Sequence, residues 1–147
     1  MTREAEQLQQ TIRASIPLSE AMQFSIIELN PRNILVQAPL EPNVNIHGTG
    51  FAGSIYSLAI LTGWALSTHI MALKQMQGAL VVAKAEISYR APLTDSIQCR
   101  TQVSEEDCTT FQLRFESNGT AKLALKVEIG ASGNAVLRAT YAAVAGD

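Results

Sequence analysis

The chain has 147 residues, 47% of them hydrophobic and 16% charged, with a formal net charge of −2. That length can bury a substantial core in one domain, taken as residues 1–147, and the charge gives no basic footprint for nucleic acid. The two cysteines, Cys99 and Cys108, lack metal-ligand spacing, and no secretory signal is read, so the expectation is a cytoplasmic protein without a metal site.

In residues 2–15, Leu8, Ile12 and Ile16 recur at helical spacing, which predicts a short amphipathic surface helix ended by Pro17. Residues 22–29, with Phe24, Ile26 and Ile27, read as a strand. Asn30-Pro31-Arg32-Asn33 is a turn signal, and residues 34–38 are a second strand closed by Pro39 and Pro42.

Residues 43–73 organise the chain. No Asp, Glu, Lys or Arg stands between Glu41 and Lys74, so a helix beginning near Phe51 is apolar on nearly every side and must be surrounded. About 20 such residues would also span a bilayer. Against a membrane, Ser54, Ser57, Thr62, Ser67, Thr68 and His69 interrupt the run, and no basic cluster flanks it. The reading is a helix wrapped by a sheet, with Gly53, Gly63 and several alanines allowing close approach.

After a loop at residues 74–78, Ala83, Ala85, Ile87, Tyr89 and Ala91 alternate with Lys84, Glu86, Ser88 and Arg90 until Pro92. Ile97, Cys99, Thr101 and Val103 repeat the alternation. Ser104-Glu105-Glu106-Asp107 reads as a solvated hairpin tip, followed by a strand with Phe111, Leu113 and Phe115 on one face and a hairpin at Asn118-Gly119. Leu123, Leu125, Val127 and Ile129 mark the next strand, Ser132-Gly133-Asn134 a turn, and residues 136–144 the last strand. Two strands, one buried helix, then four or five strands joined by hairpins predict an α+β fold, with a curved antiparallel sheet around one long helix. Exposed edge strands of that sheet would need covering.

The motif at the start of the helix carries chemistry. A chain that enters a helix through glycine leaves main-chain N–H groups free at the positive end of the helix dipole, where they can hold a thioester carbonyl or an oxyanion. Ala52, Gly53 and Ser54 would supply them. Asn45 either polarises the same carbonyl or satisfies its own loop; His47 either transfers a proton and orients Asn45 or bonds the backbone of the bend. Asn43, Ser54, Ser57, Tyr89 and Arg90 are candidate substrate-binding residues, with turn, helix-start and solvated-strand roles as the alternatives. Arg90 and Arg100 could meet the phosphates of a cofactor-borne substrate or simply lie on a solvated face. Trp64 and His69 read as core.

The segment Asn45-Ile46-His47-Gly48-Thr49-Gly50-Phe51-Ala52-Gly53-Ser54-Ile55-Tyr56-Ser57-Leu58-Ala59-Ile60 resembles the hotdog thioesterases of the phenylacetyl-CoA type, whose pattern is roughly N-x-H-G-T-x-H-G-G-x-x-F-x-L-A-D. The whole chain resembles more closely the thioesterase-like C-terminal domain of the YiiD family. This resemblance implies a hotdog fold and an enzyme acting on thioesters of coenzyme A or an acyl carrier protein. It also implies a homodimer or dimer of dimers, with coenzyme A or phosphopantetheine entering only as part of the substrate. The chain departs from the pattern at two places: Phe51 stands where the second His would be, and Ile60 where a helix Asp would be. Hydrolysis is the first expectation. Decarboxylation of a malonyl carrier-protein thioester, which needs no carboxylate base, is the second; a non-catalytic acyl-binding module and a structural partner for an acetyltransferase are the others.

Overall fold

The computed structural model describes residues 2–146, so the expected domain bounds at residues 1 and 147 lie outside the described residues. Six strands form one antiparallel sheet in the order β1-β2-β4-β5-β6-β3. They are β1 (Ser25–Asn30), β2 (Asn33–Ala38), β3 (Gly78–Tyr89), β4 (Ile97–Gln102), β5 (Thr120–Ile129) and β6 (Ala135–Ala145). The sheet curves around α3 (Ala52–Leu73), a 22-residue helix without a charged side chain. This is the hotdog fold.

The helix is long and apolar enough to cross a membrane, yet most of it is buried inside the protein. Leu58, Ala59, Ala65, Leu66 and Ile70 join Val36, Ile97, Val127, Leu137 and Tyr141 of the sheet in one core. Two buried hydroxyls in the helix are satisfied locally: Thr62 Oγ1 donates to Leu58 O at 2.7 Å and Ser67 Oγ to Gly63 O at 2.7 Å, whereas the buried Thr68 Oγ1 has no partner among the described residues. At Gly63 the sheet packs tightly against the helix. A Cβ there would overlap the Tyr141 ring and hydroxyl, and that hydroxyl donates to Ile60 O at 2.7 Å.

The N-terminal helix is α1 (Arg3–Ser15), capped by Thr2, whose hydroxyl accepts from Ala5 N at 3.2 Å. Pro17 ends it as expected and also opens α2 (Pro17–Met22), because proline suits a first helical turn; Met22, expected in the strand, is therefore helical. α1 blunts the sheet edge at β1. Gln9 Oε1 accepts the Ile26 N–H at 2.7 Å, and Arg13 Nε donates to Phe24 O at 2.8 Å.

One expectation is overturned. Residues 104–119 form no hairpin tip, strand and hairpin but a helix, α4 (Glu105–Asn118). Ser104 caps it by accepting from Asp107 N at 3.0 Å, and Glu105, Glu106 and Asp107 lie at the positive end of its dipole. Cys108, Phe111 and Phe115 are buried on one helical face, whereas Leu113, which a strand would have buried with them, is 57% exposed. Gly119 is the helix C-cap with φ +73°, not a hairpin residue. Four strands follow α3, and β4 reaches its neighbour β5 through α4 rather than through a tight turn.

Both cysteines are free and buried, and burial pushes the Cys99 thiol up to about 12. His69 is buried near the C-terminal end of α3. Burial lowers its pKa below 6.5, with Glu4 of α1 opposing part of that effect. The folded state therefore favours the neutral imidazole, and the unfolded chain takes up the proton first as pH falls. Stability is complete above about pH 6.5 and is lost as pH drops through that value towards the folded pKa. Thermal melts of wild type and His69→Gln between pH 7.5 and 5 should show a smaller acid-side fall in Tm for the variant; parallel curves would refute the assignment.

Candidate functional site

The site is built on the loop at residues 43–51 and the first turn of α3. The loop is a tight excursion closed by the isolated bridge between Val44 and Gly50, with Asn45 N–H donating to Thr49 O at 2.8 Å. Gly48 turns the chain at φ +78°, a conformation that disfavours a side chain, and its N–H donates to Asn45 O at 3.2 Å. Gly50 N–H is held by Leu93 O at 2.8 Å, so the segment between β3 and β4 anchors the loop.

Asn45 is the organiser of this loop. Its Oδ1 accepts from His47 N at 2.8 Å and Thr49 N at 3.1 Å, and its Nδ2 donates to Thr49 Oγ1 at 2.8 Å and Gly50 O at 3.3 Å. Both amide hydrogens are engaged within the loop, as the turn role weighed for Asn45 requires. Thr49, which sequence reasoning passed over, is its main partner, and the Asn-to-Thr spacing of four residues was the available signal.

His47 is linked to Asn45 through its main-chain N–H, not through its ring. Its side chain is exposed at the loop tip beside Ile46, which is 95% exposed. Together with Val44, Asn45 and Phe51 these residues line an open depression of about 660 Å³.

Asn43, expected at the substrate, is 1% exposed, and its Nδ2 is committed to Pro39 O at 2.8 Å and Met22 O at 3.0 Å. It acts as a strut. Its carbonyl accepts the Phe51 N–H at 2.8 Å and so fixes the residue that precedes the helix.

The helix start keeps the donors that the sequence promised. Phe51 is the N-cap and brings no side-chain acceptor, and the first intrahelical bond is from Ile55 N–H to Phe51 O at 2.9 Å. Among the described residues, the N–H groups of Ala52, Gly53 and Ser54 take no protein acceptor. Ala52 and Gly53 are exposed, while Ser54 and Ser57 are half-buried on the first two turns. These amides lie as free donors at the positive end of a 22-residue helix.

Tyr89 and Arg90 reach the same region differently. The Tyr89 hydroxyl donates to Ala52 O at 2.8 Å, which ties the end of β3 to the first turn of α3 and makes Tyr89 a positioning residue. Burial, then the nearby Tyr56 hydroxyl, raises its pKa. Arg90 is exposed, with its main-chain N–H on Asn134 O at 2.8 Å. Arg100 lies instead in a separate groove of about 640 Å³ whose walls include Glu28, Lys126 and Glu128 and none of residues 43–53. Among the described residues, no group of three His, Cys, Asp or Glu side chains is placed to hold a metal ion.

Phe51, at the position of the second His in the motif, lays its ring against Gly53: a Cβ on Gly53 would come within 2.5 Å of that ring. The ring is 51% exposed. Alanine is the better helix former by about 1 kcal/mol, so in a Phe51→Ala background Gly53→Ala should raise stability by about that amount, and in the wild type by less. Urea denaturation of the four proteins measures the coupling; equal gains in both backgrounds would mean that the ring does not rest on Gly53.

Comparison with known proteins bears on the family and the fold of the chain. The family described as "Putative thioesterase (yiiD_Cterm)" matches residues 5–144. The structure of a putative thioesterase from Shewanella oneidensis is similar at 33% identity and TM-score 0.87, covering 98% of this chain and 99% of that one. A protein of unknown function from Chlorobaculum tepidum shares the fold with TM-score 0.92 at 24% identity, covering 97% and 94% of the two chains. The phenylacetic acid degradation protein PaaI from Thermus thermophilus shares it with TM-score 0.63 at 22% identity over 87% and 99%. With a hotdog sheet around α3 and a match over residues 5–144, the chain belongs to the YiiD C-terminal thioesterase family.

Proposed function

We propose that this protein hydrolyses acyl thioesters of coenzyme A or an acyl carrier protein, in the cytoplasm and as a homodimer. The observation that carries the reading is the set of unpaired first-turn amides of Ala52, Gly53 and Ser54, which follow directly on the loop at residues 43–51 that bears the exposed His47. A thioester oxygen at those amides is polarised. Water attacks the carbonyl carbon while His47 takes its proton, and the resulting oxyanion is held by donors that need no reorganisation. Collapse breaks the C–S bond, and the departing thiolate recovers the proton from His47. Coenzyme A or phosphopantetheine arrives with the substrate and leaves as the thiol, so no resident cofactor is assigned. Exposed Arg90 offers a cation to its phosphates.

A second reading is favoured by one residue. Ile60 occupies the place of the motif's carboxylate, and α3 contains no acid at all. Decarboxylation of a malonyl thioester needs none: the C–C bond breaks, CO2 leaves, the electron pair becomes an enolate held by the same amides, and the carbon then takes a proton to give the acetyl thioester. Mass spectrometry after incubation with acyl-CoAs and with malonyl carrier protein separates the readings. Free thiol is the expected product, with His47→Ala reducing kcat by about 10²- to 10⁴-fold. Acetyl thioester in its place would replace hydrolysis by decarboxylation, and bound but unchanged substrate would replace both by an acyl-binding module.

The dimer reading rests on β3. This 12-residue strand is a sheet edge without proline, Val81 on it is 53% exposed, and the half-open stripe Gly53, Ser57, Ile60 and Trp64 of α3 lies alongside. A second copy paired through this edge would also cover that stripe, which begins at the first turn of α3. Val81→Asp should convert the dimer to monomer in sedimentation velocity and reduce turnover together; a wild-type chain that sediments as a fully active monomer would end this reading.

A further inference from the structure

The chain has three tyrosines, and the fold gathers all of them along one side of α3. Tyr89 donates to Ala52 O at 2.8 Å and Tyr141 to Ile60 O at 2.7 Å. Tyr56 stands midway between those two acceptors, four residues from each, and electrostatic interaction with it contributes, after burial, to raising both neighbouring hydroxyls. Its ring is half-buried against the core. Unlike the other two, its hydroxyl takes no hydrogen-bond partner among the described residues and is not sealed inside.

We propose that the Tyr56 hydroxyl recognises the acyl group by donating a hydrogen bond to an oxygen beyond the thioester carbonyl. The inference rests on the acyl-thioester reading of the site. An acyl group whose carbonyl oxygen lies at the first-turn amides and whose chain follows the open stripe of α3 meets Tyr56 one helical turn further on. That is about 5.4 Å, within reach of an oxygen on the third carbon. Beyond Tyr56 the stripe turns apolar at Ile60 and Trp64, and the Trp64 indole N–H is already committed to Leu80 O at 3.0 Å. A half-buried hydroxyl with no internal partner is left unsatisfied by a plain hydrocarbon chain and satisfied by a carboxylate or keto oxygen, which makes it a specificity group.

Tyr56→Phe removes one oxygen and keeps the ring, so the core packing survives. The full chain and the variant are assayed on butyryl-, 3-oxobutyryl- and malonyl-coenzyme A, with products followed by mass spectrometry and kcat/KM measured for each. The expected result is a loss on the 3-oxobutyryl and malonyl substrates about 10- to 100-fold larger than on butyryl. An equal effect on all three, or the same discrimination produced by Ser57→Ala, overturns the role of Tyr56. A wild type that turns over butyryl alone overturns it while leaving the acyl-thioester reading intact, and a wild type inert on all three removes both.

Discussion

The constraint on which everything else depends is the burial of a 22-residue helix that carries no charge. A helix apolar on nearly every side has no solvent face of its own, so the sheet must curve until most of its circumference is covered. Residues that look out of place in such a helix serve that burial. Thr62 and Ser67 return their hydroxyls to carbonyls one turn back, and Gly63 gives up its side chain so that Tyr141 can close against Ile60 O.

A helix that is largely buried can offer chemistry only where it emerges. At its C-terminal end the chain passes to a capped turn, with Lys74 N–H returning to Ile70 O at 3.0 Å. Its N-terminal end differs: Phe51 is a cap residue without an acceptor, and the loop before it is held by contacts through Asn45 and Thr49, by Leu93 O on Gly50 N–H and by the main-chain carbonyl of Asn43 on Phe51 N–H. These contacts engage the loop and leave the first-turn helix amides without a protein acceptor among the described residues. That asymmetry concentrates the dipole of a long helix on a few exposed donors.

The same economy explains how the site departs from the motif. With Ile60 in place of an acid and Phe51 in place of a second histidine, the helix start retains electrostatic stabilisation and loses most proton-transfer capacity. What remains is His47 at the loop tip and the hydroxyls of Ser54, Tyr56 and Ser57 along the first two turns. A helix start of this kind offers main-chain donors for negative charge, with side-chain hydroxyls arrayed beyond them.

The sequence by itself determined the central helix, the curved antiparallel sheet and the glycine-led helix start, because each is written in local periodicity or in the absence of charge over a long run. It misread residues 104–119, where Phe111 and Phe115 fit a strand at period two and a helix at a spacing of four equally well; only packing against β5 and the Ser104 cap separates the two. It also left the partners of Asn43, Asn45 and Tyr89 open, and the structure shows all three side chains hydrogen-bonded within the fold. A polar side chain's role depends on which partners are within about 3 Å, and those partners come from Met22, Pro39, Thr49 and Ala52, two of them distant in the chain. Hydrophobic periodicity is a property of neighbours in sequence, whereas the commitment of a hydrogen bond is a property of neighbours in space, so the fold was legible before folding and the free hydroxyl of Tyr56 was not.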